Sequence, residues 1–180
     1  VKDYPHQFSG GMRQRVVISL ALAAQPKLII ADEPTTALDV TIQSQILAEV
    51  QRLCAESGTA LVWITHDLAV VAGLADRVAV MYAGRIAEQG KVDDVLDRPL
   101  HPYTHGLIGS VPGAHLEGTR LHQIPGSTPS LGRLPPGCAF QPRCPRALEG
   151  CRVAVPSITS AAGGREFRCI NPVVPAEAGA

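Results

Sequence analysis

Two short apolar runs, KLIIAD (residues 27–32) and ALVWIT (60–65), constrain this chain more than any other feature. The first stops abruptly at a pair of acids and the second at a histidine, as strands buried in a parallel sheet do. Between them Ile42, Ile46, Leu47, Val50 and Leu53 recur at helical spacing, and Ser57-Gly58 ends that helix. Ahead of them Ser9 is a good N-cap, and Met12 to Ala24 reads as a helix closed by Gln25-Pro26. After them DLAVVAGLA (67–75) predicts a short helix, and RVAVMY and RIAEQG, joined through Ala83-Gly84, predict a β-hairpin. The order is that of an α/β fold, a mixed sheet with helices whose edge is antiparallel.

Beyond Gly90 the pattern changes. VDDVLDRP and PYTHGLIGSV predict two short helices punctuated by Pro99 and Pro102. From Pro112 onward Pro, Gly and Cys dominate and periodicity fades, so this part needs a staple or a docking surface. A boundary near residue 97 therefore divides the chain into 1–97 and a Pro/Cys-rich extension, 98–180. The last ten residues, NPVVPAEAGA, read as a loose tail. Sixteen basic residues balance sixteen acidic ones, and three Phe, three Tyr and one Trp offer little to stack on bases, which argues against nucleic acid as a partner. The longest apolar candidate, Val16 to Ala24, is far short of the ~18 residues of a membrane span. The first residues carry no signal-peptide pattern and begin with Val, so the expectation is a cytoplasmic protein and the C-terminal part of something longer.

Four features carry chemistry. Asp32-Glu33 emerges where a buried strand ends, the edge at which α/β folds place ligands; such acids hold Mg²⁺ or polarise a water, or are simply solvated. His66 ends the second strand and so lies on the same edge, able to hydrogen-bond a phosphate or to cap the next helix. FSGGM (8–12) opens a helix with a hydroxyl and two glycines, an arrangement that lets phosphate oxygens reach backbone N–H groups, or a plain Ser cap. TTALDV (35–40) follows the acids, and Asp39 either caps the next helix or meets a partner subunit. A P-loop, Gly-x-x-x-x-Gly-Lys-Ser/Thr, occurs nowhere in the 180 residues.

In this order and spacing the four features resemble an ATP-binding cassette (ABC) ATPase. FSGGMRQRV is similar to the family signature, LIIADEP to Walker B with its catalytic glutamate, ALD to the D-loop and His66 to the switch histidine. The resemblance implies the C-terminal part of an ABC-type P-loop NTPase domain. It makes Asp32 the Mg²⁺-associated carboxylate, Glu33 the general base, His66 the γ-phosphate sensor and Asp39 the residue that couples two subunits. Ser9, Gly10, Gly11 and Met12 are then expected to meet the nucleotide of the other subunit; many members have Gln where Met12 stands. Arg13 and Arg15 read as surface residues of the same helix. Without Walker A the chain alone is expected not to bind ATP tightly and to be inactive, its complete parent an ATPase.

RPLHPYTHGLIGSVP (98–112) and IPGSTPSLGRLPPGCAFQPRCPRA (124–147) resemble the C-terminal extension of oligopeptide, dipeptide and nickel importer ATPases. That implies a subunit on the cytoplasmic face of the membrane, paired with a second ATPase subunit as homo- or heterodimer, docked under two permeases and served indirectly by an extracytoplasmic substrate-binding protein. Permease and receptor choose the cargo. Another reading is a truncated, non-catalytic module kept for assembly or regulation; a cassette acting on DNA or ribosomes fits the neutral charge and the extension less well. Four cysteines, Cys138-x5-Cys144-x6-Cys151-x17-Cys169, suit zinc or an iron–sulfur cluster. No short Cys-x2–4-Cys knuckle is present, and looser spacing suits a cluster; the resemblance implies a [4Fe–4S] cluster on these four, with zinc as the alternative. Nearby Arg143, Arg146 and Arg152 read as solvated, Cys54 as a small buried helix residue, and His101 and His105 as part of a packing motif rather than a metal pair.

Overall fold

The computed structural model describes residues 4–36, 38–111 and 123–173. The chain divides into two compact units, Val1–Val70 and Val71–Ala180. The change in composition near residue 97 falls elsewhere, because strands on both sides of it share one sheet: Glu88 pairs with Phe167 and Gln89 with Glu166. The segment from Pro112 to His122, and residues 174–180 of the expected tail, lie outside the described residues.

In the first unit, α1 (Gly10–Ala23) starts at its Ser9 cap and α2 (Val40–Ser57) runs from Asp39 to Gly58, whose left-handed φ of 66° stops it. Strands β1 (Leu28–Asp32) and β2 (Ala60–Ile64) pair in parallel with Leu28 opposite Ala60 and Asp32 opposite Ile64. One face of this pair, Ile29, Leu61 and Trp63, packs on Ile46, Val50 and Cys54 of α2 and on Ile18 and Leu22 of α1. Cys54 is buried as expected, and burial pushes its thiol pKa up. The opposite face carries Leu28, Ile30, Val62 and Ile64, each between 45% and 66% exposed. The short helix α3 (Leu68–Leu74) follows.

The second unit holds β3 (Arg77–Tyr82), β4 (Arg85–Lys91), α4 (Val92–Asp97), α5 (Pro102–Ile108), α6 (Gly150–Val153), β5 (Thr159–Ala161) and β6 (Arg165–Phe167). Ala83 and Gly84, with φ of 47° and 79°, make the tight turn between β3 and β4, whose twist matches the strands it joins. The fold is mixed α/β, but the expected single mixed sheet is corrected. The hairpin is not the antiparallel edge of β1–β2; it belongs to a separate antiparallel sheet in the order β3-β4-β6-β5. Its free edge is taken up by β6, a strand from the Cys-rich region that sequence periodicity does not reveal.

A buried ion pair ties this sheet to the α4–α5 connection. Glu88, fully buried, accepts from Arg165 Nη2 at 2.7 Å and from the backbone N–H groups of Leu100 at 2.9 Å and His101 at 2.8 Å. His101 is buried as the cap of α5, its Nδ1 accepting from the Tyr103 N–H, while His105 is exposed, so the two do not form a metal pair. Tyr82, Tyr103 and Phe140 form an aromatic cluster with ring centroids 4.6–5.4 Å apart. Among the described residues no helix is long and apolar enough to cross a membrane.

Candidate functional site

The in-register parallel ladder sets the site. Because Asp32 pairs with Ile64, the next residues, Glu33 and then Thr65-His66, leave the sheet side by side. Glu33 extends the ladder by one bond, its N–H donating to the Ile64 carbonyl at 3.0 Å, and then turns away with a φ of 47°. This is a left-handed conformation that non-glycine residues seldom adopt and that functional sites often hold. The turn brings Thr36 back over Glu33, with the Thr36 N–H 3.4 Å from the Glu33 carbonyl.

Both carboxylate oxygens of Glu33 are engaged. Oε1 lies 2.8 Å from His66 Nδ1, and Oε2 accepts from Thr36 Oγ1 at 2.6 Å. The Thr36 hydroxyl first, and His66 second, hold the carboxyl below its ordinary range, so Glu33 is an anion at neutral pH. Glu33 in turn raises the pKa of His66. With Nδ1 turned to Glu33, the outward atom of the imidazole is Nε2. His66 does not cap the next helix; Asp67 does that, its Oδ1 accepting from the Ala69 N–H at 2.9 Å. Asp32 sits exposed at the last position of β1, next to this pair.

The glycine-rich helix start is built as its residues suggest. Ser9 Oγ accepts from the Met12 N–H at 3.3 Å. The amides of Gly10 and Gly11 belong to the first turn, where a helix offers no intrahelical acceptor. Gly11 has a packing reason as well: a Cβ there would stand 3.2 Å from Ile42 and 3.6 Å from Leu38, so a larger residue would require the Ile42 side chain to give by a few tenths of an ångström. Met12 is exposed. Asp39 is the cap of α2, its Oδ1 accepting from the Ile42 N–H at 2.9 Å. Arg15 bonds Gln45 on α2 at 2.9 Å. Glu33, Thr36 and His66 thus form one cluster, and the Ser9–Met12 turn joins the start of α2 rather than that cluster.

The four late cysteines are free thiols. Cys138 N–H donates to the Cys151 carbonyl at 2.8 Å, and the sulfurs are supplied with backbone donors: Leu148 to Cys151 and Asn171 to Cys169, both at 3.4 Å, Arg146 to Cys144, and Phe140 and Gln141 to Cys138. Burial, reinforced by the charges of Cys144, Cys138 and Cys151, pushes the Cys169 thiol up to about 11. The four are therefore neighbours in space, and N–H donors around sulfur suit thiolate ligands. Yet among the described residues no three His, Cys, Asp or Glu side chains converge to hold a metal ion. The reading of the arginines as solvated is corrected for Arg143, which is half-buried. Arg143 donates to the carbonyls of Pro125 and Ile124, to Thr128 and to the Tyr82 hydroxyl, and Arg146 to Asn171 and the Pro172 carbonyl, because each planar guanidinium finds several acceptors at once. Arg146 and Arg152 are exposed, as expected.

Residues 1–36 match the ABC transporter family model, and residues 87–151 match that of the oligopeptide/dipeptide transporter C-terminal region. The chain belongs to the ABC transporter ATP-binding proteins of the oligopeptide/dipeptide type. The oligopeptide transport ATP-binding protein OppD of Salmonella typhimurium is 56% identical over 173 residues, which are 96% of this chain and 51% of that protein. The oligopeptide transport ATP-binding protein AppD of Bacillus subtilis is 53% identical over 169 residues, 94% of this chain and 52% of that one. The dipeptide transport ATP-binding protein DppD of Bacillus subtilis is 52% identical, over 94% of this chain and 50% of its own length. This ABC chain spans about half the length of the curated relatives it matches.

Proposed function

We propose that these 180 residues are the C-terminal half of an ATP-binding subunit that energises import of peptides across the cytoplasmic membrane. The subunit sits peripherally at the cytoplasmic face, paired with a second such subunit beneath two permeases. The observation that carries the reading is the Glu33–His66 pair, 2.8 Å apart at the end of two parallel strands and beside Asp32. Glu33, anionic and fixed at both oxygens, accepts the proton of the water that attacks the γ-phosphate. His66, anchored through Nδ1, presents Nε2 to that phosphate. Asp32 is the carboxylate for Mg²⁺, which would neutralise charge on the phosphates. Ser9 and the Gly10 and Gly11 amides address the nucleotide of the second subunit, and Asp39 fixes the start of α2 against which Gly11 packs.

The decisive variant is Glu33→Gln in the complete subunit with its partners. ATP should still bind and close the dimer, while hydrolysis falls by at least about a hundredfold. Hydrolysis at the parental rate would refute the role of Glu33.

The four cysteines, Cys138, Cys144, Cys151 and Cys169, are the residues that would hold a [4Fe–4S] cluster. Their N–H donors and mutual proximity support this, and a cluster tolerates ligands further apart than a single zinc ion, whose sulfurs all lie about 2.3 Å from one centre. Such a cluster would cross-link the 138–151 loop to the end of β6. Visible absorption with iron and sulfide analysis of anaerobically purified protein tests it; a colourless protein with stoichiometric zinc would overturn it.

A further inference from the structure

We propose that Thr36 is a positioning residue for the base, fixing the carboxylate plane of Glu33 so that one oxygen is aimed at the attacking water. This inference rests on the reading of Glu33 given above. A glutamate side chain has three rotatable bonds, and that of Glu33 is 38% exposed at the end of the strand pair, so its rotamer needs specific contacts to fix it. Two hydrogen bonds do the work. His66 Nδ1 takes Oε1 at 2.8 Å, which alone leaves the carboxylate free to rotate about the axis through that oxygen. Thr36 Oγ1 takes Oε2 at 2.6 Å, and the second contact removes the rotation.

The backbone is shaped for this contact. Glu33 adopts the left-handed conformation, Pro34 and Thr35 are buried beneath the turn, and the Thr36 N–H points back to the Glu33 carbonyl. Pro34 stiffens the turn by fixing its own φ. The neighbour Thr35 is buried, and the bond to Glu33 Oε2 comes from the exposed Thr36 hydroxyl. Each carboxylate oxygen still has lone-pair capacity for a water after accepting one bond, so the clamp orients the base without blocking it. Thr36 also lies three residues before Asp39, the cap of α2, whose first turn packs on Gly11.

The test is steady-state ATP hydrolysis by the complete subunit with its partners, carrying Thr36→Val, Thr36→Ser or Glu33→Gln. Thr36→Val preserves volume and β-branching but cannot donate. It should lower kcat about tenfold with KM for ATP unchanged, since misplacement of a reacting group is felt in the transition state alone. Thr36→Ser should restore most of the loss, which a purely structural role of the threonine methyl would not allow. Parental kcat in Thr36→Val, or a loss that Thr36→Ser fails to restore, overturns the inference. If Glu33→Gln is inactive while Thr36→Val is unaffected, only the role of Thr36 falls; if Glu33→Gln is fully active, the base reading and this inference fall together.

Discussion

Replacing Glu88 by alanine should unfold much of the second unit, and the reason is visible in its three partners. The carboxylate is fully buried and accepts from Arg165 Nη2 at 2.7 Å, Leu100 N–H at 2.9 Å and His101 N–H at 2.8 Å. Removal leaves a guanidinium, 7% exposed, with the Arg98 carbonyl as a remaining acceptor and its Nε already without a partner. Breaking one side of a buried ion pair costs about 3–5 kcal/mol, a large share of the ~5–15 kcal/mol that holds a domain together. Urea unfolding followed by near-ultraviolet circular dichroism of the Tyr82–Tyr103 cluster reads the loss, and hydrogen exchange at the Leu100 and His101 amides localises it. The double variant Glu88→Leu/Arg165→Met should recover only the part owed to the unpaired charge, because the Leu100 and His101 N–H groups still lose their acceptor. A loss below about 1 kcal/mol with both amides still protected would refute this account and mark the pair as dispensable.

Two further predictions concern the same unit. His101 is buried and held neutral down to about 4, chiefly by burial, against 6.5 for a free imidazole. The unfolded ring takes up a proton as pH falls through 6.5 while the folded ring does not, so stability is flat above that value and declines by about 3 kcal/mol by pH 4. Denaturant melts between pH 7 and 4.5 should show a smaller decline in His101→Asn, which keeps a capping acceptor but does not titrate; an equal decline would exclude His101 as the cause. Gly137 has a φ of 74°, and a Cβ there would collide with the Cys151 carbonyl, the acceptor of Cys138 N–H. Gly137→Ala should therefore cost at least about 2 kcal/mol, whereas an unchanged melting temperature would show that the cysteine loop tolerates another course.

What the sequence disclosed, and what it concealed, follows from how local each determinant is. Helices α1 and α2 were legible because their caps, Ser9, Asp39 and Gly58, act within four residues. The β3–β4 hairpin was legible from Ala83-Gly84. The sheet partner β6 was not, since its three residues carry no period and its pairing with β4 joins residues some 80 positions apart in the chain, as Glu88 with Phe167. Glu33 and His66 could be placed on one edge from strand endings, but the clamp by Thr36 depends on a positive φ at Glu33, which no residue type there announces. Arg143 was misread for a related reason: its guanidinium reaches the carbonyls of Ile124 and Pro125, and backbone acceptors leave no mark in composition.

The uninterrupted apolar runs of β1 and β2 carry one more consequence. Period-less apolar strands specify burial on both faces, yet among the described residues of the first unit Ile29, Leu61 and Trp63 are covered while Leu28, Ile30, Val62 and Ile64 face outward. The residues that form the candidate site stand at the end of these same strands, with Glu33 bonded to Ile64. A second layer over the bare face would stiffen the platform that holds Glu33 and His66 without touching either. The alternation of covered and bare residues along β1 and β2 is thus a record of packing that the described residues of the first unit do not supply by themselves.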